Sequence, residues 1–343
     1  GNLSAAQKDS LAPGKPTRGA QTVEYLRGDR SREGARLGQF RVRSGPLGDI
    51  VNSQAVIVGP AKALSGTTNT PFYDPGLNPG YQAFFDAQKT RQKTIFVGAN
   101  DGMVHAFTDP SADDGDPLEP SSGYESWAFV PKALYRPDDT GLGGLTVQDG
   151  ALPPFTHNYY ADGPMRVADV DFGGEDWRTI LVGGLGKGGK SFFALDVTTP
   201  VAAGDTEADI VTAKKVLWER SNLDAGFEDL GYSYGRPLMV KTHAHGWVVV
   251  LTSGYNNQSG DGKVYFVKPE TGALLTVGSF PGYLSTGAGS AATPSGLAQV
   301  AGYVLSFRNQ VVEELYAGDL LGNLWRFNVQ DPDPQLWSVD KLA

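Results

Sequence analysis

The stretch TILVGGLGKGGKSFFALDV, residues 179–197, contains two apolar runs joined by a glycine-rich turn. Each run has the length of a β-strand, and glycine supplies the positive φ that a tight turn between strands requires. Both runs are almost continuously apolar, which is typical of a sheet covered on both faces. The stretch therefore predicts a β-hairpin in the middle of a buried sheet.

Three other stretches repeat this pattern of an apolar run, a glycine-containing turn and a second run that ends in an aromatic residue. They are TIFVGANDGMVHAF (94–107), WVVVLTSGYNNQSGDGKVYFV (247–267) and ELYAGDLLGNLWRF (314–327). Flanking apolar runs extend each hairpin to four strands, for example DIVNSQAVIV (49–58) in the first unit and ALLTVGSF (273–280) in the third. Four-stranded units repeated along a chain are typical of β-propeller blades.

The sequence thus predicts an all-β fold, a β-propeller of four-stranded antiparallel blades. The blades are expected at about 47–132, 163–220, 234–281 and 295–343 of the propeller domain 47–343. A β-sandwich would not show this fourfold internal similarity. Because four blades rarely close a ring, we expect only part of the propeller within this stretch, with further blades outside it.

The segments outside the predicted blades are an N-terminal segment and three insertions. Residues 1–46 are predicted to form a separate N-terminal segment, irregular up to residue 20, with one short helix over 20–28 and a basic linker. Long insertions are expected at 60–93, 108–125 and 134–162. Long loops on a rigid scaffold often carry function.

Composition excludes several classes of protein. The 343 residues include no cysteine, which rules out disulfides, thiolate metal sites and a cysteine nucleophile. No window of about 18 apolar residues occurs, so no membrane span is expected. The net charge of −9 disfavours binding to nucleic acid through its phosphates.

The charge is unevenly distributed. Residues 1–45 hold nine Lys/Arg and four Asp/Glu, a net charge of +5, so the remainder carries −14. The basic stripe of this segment consists of Arg27, Arg30, Arg32, Arg36, Arg41 and Arg43. It is interpreted either as a solvated linker or as a contact with an acidic partner or an acidic propeller face.

No catalytic constellation stands out. The chain has four histidines, His105, His157, His243 and His245. His105 occupies a repeat position that otherwise holds Ser, Tyr or Trp, which favours a packed or turn-facing role. His243 and His245 alternate across a strand end without a third metal ligand. The sequence also lacks a G-x-S-x-G elbow, a phosphate loop and an H-E-x-x-H helix. It therefore favours a protein without catalytic or cofactor-binding residues.

Two motifs suggest binding. Asp169, Asp171 and Asp176 flank a glycine-containing turn, and hard oxygen ligands on such a turn suit Ca²⁺. A plain hairpin turn is the alternative. Arg27-Gly28-Asp29 spells the integrin-recognition tripeptide, a possible receptor-binding site, but the flanking residues also fit an ordinary helix C-terminus.

Several long sequence motifs carry a resemblance to a known family. YLRGDRS (25–31), LGDIVNSQAVIVG (47–59), VGANDGMVHAF (97–107) and YAGDLLGNLWRFNV (316–329) closely resemble the C-terminal propeller region of the PilY family of type IV pilus proteins. The resemblance implies a modified seven-bladed, quinoprotein-like propeller. It also implies export through the periplasm to the outer membrane, the cell surface and the pilus tip.

The resemblance further implies a function. Family members are tip adhesins and biogenesis factors that act in pilus extension and retraction, twitching motility, surface sensing and attachment. The implied partners are minor pilins and a receptor on a host or abiotic surface. Two rivals remain, a quinoprotein dehydrogenase and a propeller scaffold in outer-membrane assembly. The lack of cysteine and of evident quinone-site carboxylates disfavours the dehydrogenase.

The family also has a Ca²⁺ loop of the form DxNxDxVxD shortly before the YAGDL motif. The corresponding residues here run from Leu305 to Glu313, and at the five ligand positions of the motif only Asn309 and Glu313 offer side-chain oxygens. Arg308 adds a positive charge to the loop. We therefore predict that this Ca²⁺ site is lost or greatly weakened.

Overall fold

The structure is a computed structural model that describes residues 3–109, 123–148, 151, 154–202, 204–277 and 280–343. Most of the acidic insertion predicted at 108–125 lies outside these residues. Four antiparallel sheets of four strands dominate the fold, and the strands of each sheet neighbour one another in chain order. The predicted class of all-β protein with four-stranded antiparallel units is confirmed.

The first two sheets lie in the N-terminal half. The first sheet consists of β1 (Val56–Val58), β2 (Thr94–Gly98), β3 (Val104–Thr108) and β4 (Glu125–Phe129). The second sheet consists of β5 (Met165–Asp171), β6 (Trp177–Gly184), β7 (Ser191–Asp196) and β8 (Val216–Ser221). All six residues of β7 are buried, as its apolar sequence predicts.

The third sheet contains β9 (Leu238–Thr242), β10 (Gly246–Thr252) and β11 (Lys263–Val267). The predicted fourth strand over 273–280 is wrong. Instead β12 (Thr276–Val277) pairs with β13 (Phe280–Pro281), and the sheet is completed by β14 (Tyr283–Ser285). Pro281 has no N–H and Gly282 has a φ of +83°, so the chain turns before the strand that pairs with β11.

The fourth sheet consists of β15 (Val300–Val304), β16 (Val312–Gly318), β17 (Leu324–Asn328) and β18 (Ser338–Lys341). Its two faces differ. Leu315 and Phe327 on one face are fully buried, whereas Tyr303 and Leu324 on the other are 50% and 43% exposed. The adjoining β15–β16 loop exposes Leu305 and Phe307 by 70% and 68%. In the described part of the chain, nothing covers this outer face.

Each sheet packs on the next. The rings of Phe129 and Phe193, 5.1 Å apart, join the first and second sheets. Trp177 and Trp247 meet edge to face at 5.8 Å between the second and third. Phe266 and Trp337 lie 5.1 Å apart between the third and fourth. The edge strand β5 contacts both β1 and β9, and β9 contacts β15. This succession of sheets is that of β-propeller blades.

The N-terminal segment is helical, contrary to the prediction of an irregular chain up to residue 20. It contains α1 (Ala5–Ser10) and α2 (Pro16–Leu26). Ser4 and Gln7 form a capping box at the start of α1, and Pro16 occupies the first turn of α2. Both features stabilise helix N-termini, and they outweigh the polar composition of the segment.

The insertion at 60–93 contains α3 (Tyr81–Gln88) and packs far from its own sheet. Tyr73 lies 5.6 Å from Trp247 and 6.1 Å from Trp177, ring centre to ring centre. Tyr81 lies 4.7 Å from Trp177. The insertion leaves the first sheet and fills the space between the second and third.

Shorter elements complete the fold. The helix α4 (Glu207–Thr212) lies between β7 and β8 and begins with a capping box of Thr206 and Asp209. One-turn 3₁₀ helices occupy Lys132–Leu134, Leu142–Thr146, Gly186–Gly188 and Pro334–Leu336. In the described part of the chain, no helix combines the length and the apolar character needed to cross a membrane.

The strand predicted over 49–58 is confined to Val56–Val58. The backbone N–H groups of Val51, Asn52 and Ser53 point instead at the Asp162 carboxylate, at 3.3, 2.7 and 3.3 Å. Asp162 is 1% exposed. These residues therefore satisfy their N–H groups without a strand partner, which shortens β1.

Candidate functional site

The structure does not bring Asp169, Asp171 and Asp176 together as one set of ligands. The Asp171 carboxylate accepts the backbone N–H of Gly173 at 2.8 Å, a local turn contact. Asp176 pairs with Arg178 at 2.8 Å. Asp169 lies within β5, before the turn begins. Among the described residues, no group of three or more His, Asp or Glu side chains could hold a metal ion.

Asp169 belongs to a polar network beneath the insertion. Its carboxylate accepts hydrogen bonds from the Tyr81 hydroxyl at 2.7 Å and the Thr179 hydroxyl at 2.6 Å. The Arg91 guanidinium donates to the same Thr179 oxygen at 2.7 Å. Burial raises the pKa of Asp169, although these hydrogen bonds and Arg91 oppose the rise. The carboxylate therefore anchors α3 to the second sheet.

The loop from Leu305 to Glu313 does not fit Ca²⁺. The Asn309 side-chain oxygen accepts the N–H of Val311 at 3.1 Å, closing a local turn. The Arg308 guanidinium lies 3.2 Å from the Asp74 carboxylate and places a positive charge beside the loop. Glu313 is the one carboxylate in the loop. A Ca²⁺ ion takes six to eight oxygen ligands, so this donor set is insufficient.

The same loop is held by the insertion at 60–93. The Arg308 carbonyl oxygen accepts the backbone N–H of Asp74 at 3.0 Å and the side-chain amide of Asn78 at 2.9 Å. Lys241 donates to the Asn78 side-chain oxygen at 3.1 Å, and its backbone N–H donates to the Gln310 carbonyl. The insertion thus connects the first sheet to strand β9 of the third sheet and to the β15–β16 loop of the fourth.

Arg27-Gly28-Asp29 forms the end of α2. The N–H of Asp29 reaches the carbonyl of Glu24 at 2.9 Å, the N–H of Gly28 reaches that of Tyr25 at 3.0 Å, and Gly28 has a φ of +101°. This is the Schellman pattern of helix termination. The Asp29 carboxylate accepts the Ser31 N–H at 2.7 Å, so it is engaged within the chain.

The basic stripe docks the N-terminal segment on the rest of the protein. Arg43 is 8% exposed, pairs with Glu33 at 2.7 Å and donates to the Tyr25 carbonyl at 2.7 Å. The Arg41 Nε donates to the carbonyl of Leu145 at 3.3 Å. Arg43 therefore binds within its own segment, whereas Arg41 contacts a backbone carbonyl of the rest of the protein.

A cavity of about 180 Å³ lies where this segment meets the first sheet. The Arg41 guanidinium stacks on one wall, 3.9 Å from the centre of the Phe155 ring. On another wall the Asp49 carboxylate accepts hydrogen bonds from His157 at 3.0 Å and Asn100 at 2.9 Å. These bonds hold the pKa of Asp49 below its usual value against the opposing effect of burial.

The buried His105 is the centre of a charge cluster that the sequence pattern did not reveal. Its Nδ1 lies 2.5 Å from Glu125, and its Nε2 lies 3.1 Å from both Asp101 oxygens. Burial lowers the pKa of His105, but the two carboxylates outweigh it and raise the value to about 9. Asp101 also accepts the N–H of Gly48 at 2.8 Å. The histidine is 4% exposed, which agrees with a packed role, and the two carboxylates favour its charged form.

The other histidines have separate surroundings. His245 Nε2 donates to the Thr276 carbonyl at 2.9 Å, and its ring meets Trp337 edge to face at 5.9 Å. His157 pairs with Asp49. In the described residues no histidine belongs to a group that could hold a metal ion. His157 and His245 thus make structural contacts.

Comparison with known proteins gives a consistent picture. The family model of the PilY1 β-propeller domain matches residues 47–341. A type IV pilus biogenesis factor PilY1 homolog of Xylella fastidiosa is 36% identical over 326 residues, covering 93% of this chain and 20% of that protein. The PilY1 factor of Pseudomonas aeruginosa strain PAK is 38% identical over 340 residues, 96% of this chain and 25% of that protein.

A solved structure is also similar. The crystal structure of the Pseudomonas aeruginosa PilY1 C-terminal domain aligns with a TM-score of 0.56 at 32% sequence identity. The alignment covers 80% of this chain and 45% of that one. The chain spans about a quarter or less of the length of these curated relatives.

Proposed function

The chain belongs to the PilY1 β-propeller family, and from this premise we propose that it is the propeller part of a type IV pilus biogenesis factor. The single observation that carries the proposal is the match of the family model over 47–341, which includes all four sheets. The relatives named above bear the function of pilus biogenesis in their names.

We further propose that the protein is exported and acts at the pilus tip as an adhesin, in contact with minor pilins. Its proposed roles are in the balance of pilus extension and retraction, in twitching motility and in attachment to a host or abiotic surface. The architecture supports a binding role, since rigid packed sheets present long loops. The Arg27-Gly28-Asp29 tripeptide is the less favoured receptor contact, because its carboxylate is engaged by Ser31.

The proposed role is non-enzymatic. A general base needs a free acceptor near a reacting group, whereas both nitrogens of His105 are bonded to carboxylates. Dye-linked alcohol oxidation by the purified protein, or quinone recovered from it in stoichiometric amount, would contradict this proposal. The visible absorption spectrum gives a rapid first measurement.

The genetic test deletes the codons for residues 47–343 from the chromosomal gene of a type IV piliated bacterium. We expect loss of surface pili, of twitching and of attachment, with recovery on complementation by the wild-type gene. Complementation by a Lys268→Gln variant, which alters an exposed side chain outside the proposed receptor contact, serves as the matched control. Normal pili and normal twitching in the deletion strain would refute the biogenesis role. Pili without attachment would support the adhesin role alone.

A further inference from the structure

Two arginines meet where the second and third sheets come together. Arg166 lies on the edge strand β5, and Arg236 lies two residues before the edge strand β9. These two strands contact each other. The Arg236 Nε donates to the carbonyl oxygen of Met165, the residue before Arg166, at 3.3 Å. The two positive side chains therefore belong to one small region of the fold.

Among the residues that the structure describes, neither arginine has a carboxylate partner. Within the described ranges, no Asp or Glu oxygen lies within 4.0 Å of the guanidinium of Arg166 or Arg236, and no hydrogen bond of the Arg166 guanidinium is present. Arg43 and Arg326, in contrast, pair with Glu33 at 2.7 Å and Asp340 at 2.8 Å. The pKa of Arg166 is lowered first by burial and then by the positive charge of Arg236.

A half-buried cation beside a second cation is unfavourable unless an anion compensates it. The planar guanidinium donates two parallel hydrogen bonds to a carboxylate or a phosphate, which makes it the side chain best suited to such anions. An arginine pair without a protein carboxylate thus has the chemistry of an oxyanion site.

The neighbouring loops add positive charge. Lys187 and Lys190 lie in and after the β6–β7 turn, which is bonded to the loop before β9 through Ser233. The Lys190 amine lies 5.6 Å from the centre of the Tyr232 ring. The two lysines stand at the end of the second sheet where β5 begins. The buried Asp162 lies at the same end, and its carboxylate is engaged by the N–H groups of Val51, Asn52 and Ser53.

We propose that Arg166 and Arg236 bind a small oxyanion, either phosphate or a di- or tricarboxylate, at the junction of the second and third sheets. This site is separate from the Leu305–Glu313 loop and from the cavity beside Arg41. It is also independent of the proposed function in pilus biogenesis.

The test measures thermal unfolding of the whole chain in inorganic phosphate, in citrate and in sodium chloride at equal ionic strength. We expect phosphate or citrate to raise the midpoint by about 2–5 °C with saturation, since ligand that binds only the folded state stabilises it. The anion that saturates at the lower concentration identifies the ligand class. Isothermal titration with the same two anions checks the stoichiometry of one.

The decisive variant is Arg236→Gln, because the exposed Arg236 side chain can be changed without unfolding the core. We expect it to abolish the anion-dependent rise and, in chloride, to match or exceed the wild-type midpoint, since the repulsion with Arg166 is removed. Arg27→Gln is the matched control and should keep the rise. Equal rises in the wild type and Arg236→Gln, or no rise in the wild type, would overturn the proposal. Arg166→Gln tests the second arginine in the same way and should also lose the anion-dependent rise.

Discussion

The side-chain amide nitrogen of Asn78 lies 2.9 Å from the backbone carbonyl oxygen of Arg308, although 230 positions separate the two residues in sequence. The same nitrogen donates to the carbonyl of Asp74 at 3.0 Å, and Asn78 is 1% exposed. One buried amide thus satisfies two backbone acceptors and connects the insertion of the first sheet to a loop of the fourth.

Replacement of Asn78 by Ala should therefore lower the free energy of unfolding by about 1–3 kcal/mol, because both hydrogen bonds of a buried amide are lost. The Arg308 and Asp74 carbonyls keep the backbone N–H groups of Asp74 and Leu77 as donors. Arg308→Met removes the ion pair with Asp74, whose side chains are 39% and 34% exposed, and should cost no more than about 1 kcal/mol. Urea denaturation of both variants measures which of them loses more free energy of unfolding. A larger effect for Arg308→Met would show that the ion pair, and not the amide, holds the loop.

The His105 cluster predicts a pH dependence. The pKa of His105 is raised to about 9 in the folded protein, above the ordinary value of 6.5. The charged cluster therefore stabilises the fold fully below about pH 6.5, and this contribution is lost as the pH rises through about 9. Denaturant unfolding between pH 6 and 10 should show the decline. His105→Gln should lack it, and an identical decline in that variant would assign the effect to other groups.

We predict that the Leu305–Glu313 loop binds Ca²⁺ no more tightly than roughly millimolar, the weak end of known protein sites. The side-chain oxygens of only two motif residues, Asn309 and Glu313, beside the charge of Arg308 are inadequate for a dehydrated divalent cation. Isothermal titration of the wild type and of Glu313→Ala checks this. Micromolar binding that disappears in the variant would contradict it, and binding that survives would direct attention to Asp169, Asp171 and Asp176.

The contact between Tyr81 and Asp169 should contribute to stability. Tyr81→Phe leaves the ring in place but removes the donor at 2.7 Å from a buried carboxylate, so we expect a loss of about 1–3 kcal/mol. Tyr303→Phe, at a 50% exposed ring, is the control and should change stability little. Equal unfolding midpoints for Tyr81→Phe and the wild type would mean that Thr179 and Arg91 suffice for Asp169.

Asp29→Ala separates the two interpretations of the Arg27-Gly28-Asp29 tripeptide. If it acts as a helix end, the variant loses the Ser31 turn and the protein is slightly less stable, with attachment to integrin-bearing cells unchanged. We expect that result, because the carboxylate also pairs with Arg32 at 3.1 Å. A loss of attachment at unchanged stability would favour receptor binding.

The repeated hairpins could be predicted because each is encoded locally. In residues 179–197 the strands, the turn and their burial follow from neighbouring residues. The role of Asp169 could not be read in this way. Its position near a turn suggested a metal ligand, whereas its partner Tyr81 comes from an insertion that packs on a different sheet.

Part of the His105 cluster could be predicted from the sequence, because Asp101 and His105 lie on one hairpin. Glu125, however, comes from β4, beyond the long acidic insertion, and the β3–β4 register shifts between Ala106 and Phe107. No local pattern specifies such a shift. The proximity of Arg166 and Arg236 could not be predicted from the sequence either, because only the contact of β5 with β9 brings the two together.

The open face of the fourth sheet has a consequence for how the chain behaves in solution. Leu305, Phe307 and Tyr303 offer apolar surface that two copies can cover mutually, while a net charge of −9 on each copy opposes their approach. Added salt screens that repulsion and leaves the hydrophobic attraction in place. Colloidal stability should thus be greatest at low ionic strength, and light scattering should rise with salt and with protein concentration.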